Sequence, residues 1–474
     1  MTTATDGPVR QDDVGDESAL MSWMEGDPQL MAICTAAVDP LEIAARLETY
    51  GMSTRVATDT FGFPDVFAAA RAVYRQLPFR QGESPTPARQ PMGGPIDLLR
   101  GALYAVPALL FTVAVTGFSI VPRWWVLPVG LTTAWATSQL VAVVAWTLRG
   151  RQDDRSDALL ALGSIVVTVV VALGFALAVR RLLGGGMSNV VVAVALAAYI
   201  AASGVLLFHR AEWLLALCML PAAVGSLLAQ GFAGPTLSHR QASWTVVATG
   251  ALVAVVANRY VFRRRWHWPS LLSADRRRAG LFLVYGLGCG LLTSVFIGFA
   301  SEANGTGGAL VIAVWPLLLT LGLMEWHLRS FQSRAAGAMR RSSELRQFGR
   351  RVRLALLRSV GTYVAVLALF SVAGVEIADA RHAVMVPLLL AAVGTLGVLF
   401  FLALLVESAG HIKMVLAIWG ATFAVLGTIL AVNRPAHGHI TAATGITALL
   451  CATGMAVVVL AVLACRVLTS PLIY

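Results

Sequence analysis

The sequence predicts an all-α polytopic membrane protein of about twelve transmembrane helices in two six-helix halves, preceded by a small helical cytosolic domain. Three observations lead there. Apolar residues make up 57% of the chain and charged residues only 13%, too little charge to keep a chain of 474 residues in solution. The apolar residues fall in blocks of about twenty, the length that crosses a roughly 30 Å hydrocarbon core at 1.5 Å per residue. No run of about ten alternating residues, the mark of a membrane barrel, occurs in the chain.

The first hundred residues read differently from the rest. Residues 1–27 are polar and acidic and are expected to form a disordered tail. Residues 28–80 form the small helical cytosolic domain. Within it Asp39-Pro40 opens a helix, with proline at its first position, that runs to a stop at Gly51. Ser53 caps a second, short helix that ends at Gly62. Pro64 starts a third, with Val66, Phe67, Ala70, Val73 and Tyr74 on one face. Residues 81–98 are a Pro/Gly linker.

The apolar blocks follow at 101–121, 125–148, 158–179, 189–208, 212–234, 243–262, 279–301, 309–328, 355–375, 384–406, 411–432 and 440–465. Half one occupies 99–262, a basic cytosolic loop 263–278, and half two 279–474. Residues Arg100-Gly-Ala-Leu-Tyr open the first block and Arg278-Ala-Gly-Leu-Phe the seventh, a short likeness between the halves. An even number of spans places both termini on one side. The arginines gather in the loops 259–278 and 329–358, so that side is cytoplasmic by the positive-inside bias. The pair Arg180–Arg181 breaks the rule locally.

The formal charge of +11 is divided unevenly. Residues 1–98 hold 7 Arg against 14 acids, which is −7, and residues 99–474 hold 29 basic residues against 11 acids, which is +18. The excess belongs to membrane-flanking loops and does not point to nucleic acid, none of which is expected as a partner. The opposite signs predict a salt-sensitive attraction between the N-terminal domain and the basic loops. Of 36 basic residues only Lys413 is lysine, a usage that fits a high-GC bacterial genome. The five cysteines lack metal-ligand spacing and read as small apolar side chains.

No enzymatic constellation stands out, and neither a metal nor a cofactor site is expected. There is no phosphate-cradling Gly-Lys-Ser loop and no His-Glu zinc pattern. Gly286, Gly288 and Gly290 imitate a nucleotide-binding run but lie inside a predicted span, where close helix packing is the better reading. Pro107, Pro128, Pro221, Pro316 and Pro387 fall within predicted spans and are expected to kink them. Ionisable residues gather at span ends. Arg100, Arg259, Glu325 and Arg358 are the candidate substrate-binding residues, since an arginine fork pairs with phosphate oxygens. The plainer reading of each is a side chain that snorkels to the headgroups.

The segment Glu325–Arg353 reads as an amphipathic helix on the cytosolic membrane face, with Leu328, Phe331, Leu345 and Phe348 toward lipid. The twelve-span plan, the two six-helix halves and the run MEWHLRSFQSRAAGAMRRS after the eighth span resemble the multidrug/oligosaccharidyl-lipid/polysaccharide exporter superfamily, above all its Pel-type polysaccharide exporters. That resemblance implies two lobes around a central cavity, alternating access, and a lipid-linked sugar or nascent polysaccharide as substrate. The expected protein is therefore a flippase or exporter of bacterial envelope biogenesis in the inner membrane. Its partners would be membrane lipids, an anionic lipid-linked glycan, and envelope-synthesis proteins met through the N-terminal domain. Two alternatives stay open: a non-transporting scaffold or regulator, and a membrane-embedded sugar transferase.

Overall fold

The computed structural model describes residues 15–35, 37, 39–77, 103, 125–150, 157–209, 211–229, 239–262, 273–303, 307–340, 342, 345–379, 385–433 and 440–469. They divide into two compact units, Met1–Met92 and Gly93–Tyr474. All regular structure among the described residues is helical.

The N-terminal unit contains α1 (Glu17–Glu25), α2 (Pro28–Thr35), α3 (Pro40–Thr49), α4 (Thr54–Phe61) and α5 (Val66–Gln76). Its helix starts follow local chemistry. The carboxylate of Asp39 accepts from the Glu42 amide at 2.8 Å, and Pro40 occupies the first turn, where it removes no intrahelical donor. Ser53 accepts from the Val56 amide at 3.3 Å, and α4 ends at Gly62 in the left-handed region, φ 72°. Asp65, rather than Pro64, caps α5 by accepting from Ala68 at 2.7 Å.

Two readings of this region are corrected. Residues 17–25 are a helix and not part of a disordered tail. Asp16 caps it by accepting from Ala19 at 2.9 Å, and Leu20 and Met24, one turn apart, are fully buried. The chain is pinned there because the Asp16 amide donates to the Phe61 carbonyl at 2.7 Å and Gly15 lies against the Phe63 ring. The buried face of α5 is made by Val66, Ala69, Ala70 and Val73, with Ala68 and Ala72 also inside, whereas Phe67 is exposed. Alanines let α5 sit at the centre of the unit with both flanks covered.

Cys34 belongs to this core. Burial pushes its thiol up to about 11, so at pH 8 roughly one molecule in a thousand is thiolate. Maleimide labelling of Cys34 in the native chain at pH 8, read by peptide mass, is expected to run at least about tenfold slower than in urea. Equal rates would show that the core is open.

The second unit is built of α6 (Val126–Gly150), α7 (Asp157–Leu183), α8 (Met187–Phe208), α9 (Glu212–Ala229), α10 (His239–Phe262), α11 (Ser273–Ala303), α12 (Gly307–Arg340), α13 (Leu345–Asp379), α14 (Val386–Ser408), α15 (Ile412–Val432) and α16 (Ala442–Val467). Eight of them are long and apolar enough to cross a membrane, namely α6, α7, α8, α11, α13, α14, α15 and α16. The chain is thus a multi-pass integral membrane protein. Helices α9, α10 and α12 overlap the predicted blocks at 212–234, 243–262 and 309–328. The predicted first span, 101–121, and the linker at 81–98 lie outside the described residues, Leu103 apart.

The most extensive helix contact among the described residues joins α6 to α11, across the predicted boundary between halves. The sequence explains how closely these two approach. A Cβ at Gly286 would stand 2.8 Å from the Ala136 Cα, and one at Gly290 would stand 2.6 Å from the Thr132 Cα. Ser294, one turn further on, hydrogen-bonds Thr132 at 2.8 Å between hydroxyls. Small residues at every fourth position let two membrane backbones meet, and dispersion and hydroxyl contacts then hold them. Gly288 faces the other way, against the Trp419 indole of α15, which stacks on Tyr285. The close-packing reading of these glycines agrees with the structure.

Helix α14 is the hub of the C-terminal part, in contact with α11, α12, α13, α15 and α16. Its apolar residues face all round, and 72% of its membrane window is buried in protein. The hydroxyls of Thr395 and Thr453 link it to α16 at 3.0 Å.

Proline placement differs in part from expectation. Pro128 is the third residue of α6 and Pro387 the second of α14, positions whose amides have no intrahelical acceptor, so neither kinks a span. Pro316 and Pro221 do lie inside helices, and Pro107 is outside the described residues.

The segment Glu325–Arg353 is not one helix on the membrane surface. Its first part continues α12 without interruption to Arg340, and its last part is the start of α13. Phe331 and Phe348 are 1% and 4% exposed and share one core with Ala335, Ala338 and Val352. The apolar stripe meets a second helix where lipid was expected.

Candidate functional site

The seam between α12 and α13 follows a simple spacing. Thr320, Met324, His327, Phe331 and Ala335 recur at intervals of three or four residues, and all are buried. On α13 the matching row is Phe348, Val352, Leu356, Ser359, Tyr363 and Leu367. Antiparallel packing of the two rows buries an apolar strip with a polar centre.

At that centre the hydroxyls of Thr320 and Tyr363 lie 3.2 Å apart, and Thr320 also reaches the Pro316 carbonyl at 2.7 Å. About two turns along, the His327 carbonyl accepts from the Ser359 hydroxyl at 3.1 Å, and its Nδ1 faces the Thr362 hydroxyl at 3.3 Å. The Thr362 proton has a nearer acceptor in the Arg358 carbonyl, at 2.7 Å. That choice leaves Nδ1 of His327 as the donor to the Thr362 oxygen, which fixes the neutral ring's tautomer.

Aromatic rings close the site from three sides. His327 meets Trp326, Tyr363 and Phe401 edge-on at centroid distances of 4.7, 6.0 and 6.0 Å. Tyr363 leans on Phe401 of α14 at 4.7 Å. The imidazole, 4% exposed, therefore sits in a mostly apolar wall with a polar bond on one side. A buried imidazole one residue from the end of the predicted span 309–328 makes this seam the candidate site.

The sequence-predicted candidates are distributed around it unequally. Glu325 pairs with Arg329 across one turn of α12, a contact that holds an arginine fork beside the seam. Arg358 is exposed and lies one turn before Thr362 on α13. Arg259 is exposed in the last turn of α10, where a cation complements the helix dipole, and no recorded hydrogen bond or ion pair joins it to the others. Arg100 lies outside the described residues.

Sequence reasoning left His327 out of the candidate residues and missed Thr320, Ser359, Thr362 and Tyr363. The signal that could have found them is polar residues at core positions of two neighbouring rows, one on each side of the 340–345 break. Chemically the arrangement can offer an imidazole and hydroxyls to a polar group, with guanidinium groups nearby on the same two helices. No family model matches the sequence, and no curated protein matches it either.

Proposed function

We propose that the protein is a flippase or exporter of a lipid-linked sugar or polysaccharide in bacterial envelope biogenesis. In this reading it sits in the inner membrane with both termini in the cytosol. The observation that carries the proposal is the buried polar centre of the α12–α13 seam, His327 with Thr362, Ser359 and the Tyr363–Thr320 pair. A span that served only to anchor would gain by filling these positions with leucine, because membrane helices lose stability for each unneeded polar group. Arg329 and Arg358 lie near the ends of the predicted spans, at headgroup depth, where a phosphate-bearing lipid head would enter. The likeness to polysaccharide exporters supports the same substrate class.

The test is translocation of a fluorescent polyprenyl-phosphate-linked sugar in proteoliposomes, followed by quenching of the outer leaflet. The intact chain should exceed protein-free vesicles, and His327→Ala and Arg358→Glu should each slow it by at least about tenfold, the effect of roughly 1.4 kcal/mol on a barrier. A rate equal to that of protein-free vesicles would sink the proposal. A second reading, a non-transporting scaffold or regulator, is favoured by the separate five-helix N-terminal unit, through which envelope-synthesis proteins would be met. It predicts that vesicle rate together with stable association of the full chain with such proteins.

A further inference from the structure

The turn between α7 and α8 is three glycines, Gly184–Gly185–Gly186, just beyond the arginine pair that breaks the positive-inside rule. Gly184 and Gly185 stand at φ 76° and 128°, where residues with side chains are strained. The turn is held at all three of its carbonyls. The Trp125 indole donates to Gly184, the Arg180 Nε to Gly185 and the Asn189 amide to Gly186, each at 3.2 Å. Val129 of α6, Ala176 of α7 and Ala193 of α8 share one small core. One helical turn further toward the same end, those three rows bring Trp125, Arg180 and Asn189 together.

With its carbonyls engaged, the turn presents N–H groups. No acceptor is recorded among the described residues for the amides of Gly185, Gly186, Met187 and Ser188, and no side chain caps α8. That helix is 22 residues long, so its aligned peptide dipoles bring partial positive charge to the same spot. The Arg180 guanidinium lies across the turn, with Nη1 3.5 Å from the Met187 sulfur. No carboxylate opposes it from nearby sequence, since no Asp or Glu occurs between Asp157 and Glu212 or between Asp97 and Asp153.

Asn189 supplies an independent sign of a ligand. It is 6% exposed, and its Oδ1 has no hydrogen-bond partner. Helical side chains tilt toward the N-terminus of their helix, so this carboxamide in the first turn of α8 points back at the glycines. A buried oxygen without a donor is costly, above all within a membrane. An unmet acceptor beside a row of unmet donors defines what would satisfy both: an anion that carries a hydroxyl.

We propose that the Gly184–Gly186 turn binds a hydroxyl-bearing phosphate ester. Its phosphate oxygens are taken by Arg180 and the first amides of α8, and its hydroxyl by the Asn189 carboxamide. The glycerophosphate head of an anionic lipid and a soluble glycerol phosphate share this chemistry. The site does not depend on transport.

The test follows melting of the full chain in neutral detergent while glycerol phosphate or phosphatidylglycerol is titrated at constant ionic strength. Glycerol and phosphatidylcholine are the blanks. At least one of the two phosphates should stabilise the protein saturably, and neither blank should. Stabilisation by phosphatidylglycerol alone identifies a lipid head as the ligand, and stabilisation by both shows that the head group suffices. Arg180→Gln should raise the half-saturating concentration at least about tenfold, and Arg181→Gln, one position along and exposed, no more than about twofold. Asn189→Leu should weaken binding at least about tenfold and yet melt, without ligand, no lower than the wild type, because it removes an oxygen that has no donor. No stabilisation by either phosphate, or an equal loss in Arg181→Gln, would overturn the proposal. So would an Asn189→Leu chain that melts below the wild type, because the asparagine would then serve the packing alone.

Discussion

Replacing Gly286 and Gly290 together with valine is expected to break the α6–α11 crossing and collapse the purified protein into aggregates in mild detergent. At both positions the nearest atom that a Cβ would strike is a backbone Cα, at 2.8 and 2.6 Å, so no change of rotamer makes room. Overpacking a filled interior costs about 1–3 kcal/mol per site, and the two sites share one crossing, so α11 would have to move outward as a whole. That movement also stretches the 2.8 Å Thr132–Ser294 bond. Gly280→Ala and Gly361→Ala are the controls. Nothing lies within 4 Å of a Cβ at either position, and removing a helical glycine should stabilise by about 0.4–1 kcal/mol. Thermal melting followed by size-exclusion chromatography reads both effects. A double valine variant that melts with the wild type would mean that the crossing is not what holds α6 and α11 together.

The second large effect is expected in the N-terminal unit. Phe63→Ala should unfold it while the full chain is still made and inserted. Phe63 is wholly buried, lies against Gly15, and anchors the loop between α4 and α5 through its amide, which donates to Ala57 at 3.0 Å. Truncating a buried phenylalanine costs about 3–5 kcal/mol, and a core in a domain below about 70–80 residues rarely supplies more than 3–5 kcal/mol. The two magnitudes are equal, so the folded fraction should fall to about half. Trypsin should then cut after Arg55 and Arg71, and Cys34 should label at the rate of the urea-unfolded chain. Persistence of slow Cys34 labelling in the variant would show that the unit draws its stability from elsewhere.

The elements that could be read from the sequence are those fixed by chemistry within a few residues. Asp39-Pro40, Ser53 and Gly62 mark helix ends because caps and left-handed turns depend on three or four neighbouring positions. Helix α1 escaped because its two buried apolar residues, Leu20 and Met24, look like accidents in an acidic stretch until the Phe61–Phe63 region arrives to cover them. The apolar blocks were legible for the same local reason, since lipid selects length and composition one segment at a time. Pairings between blocks were not. Nothing near Gly286 says that Ala136 is its neighbour, and nothing near His327 says that Thr362 will face it. The segment 325–353 was misread as a surface helix because the period of its apolar stripe is the same whether lipid or protein covers it. Among the described candidate residues, Glu325 lies on the helix that carries the buried imidazole and Arg358 on the helix packed against it.

The burial of α14 has a consequence for how the protein is made. Its mean hydropathy of 2.7 lets it leave the translocation channel for lipid unaided. Yet two of its five neighbours, α15 and α16, follow it in the chain and enter the membrane after it. At 5–20 residues per second the ribosome needs roughly 3–12 s to pass from Ser408 to Val467, the end of α16. During that interval the faces of α14 that will meet them are solvated by acyl chains at no hydrophobic penalty. Assembly of this part of the bundle is therefore a late exchange of lipid for protein. A nascent chain that stalled after Ser408 would persist as an open, inserted intermediate rather than being rejected at the channel.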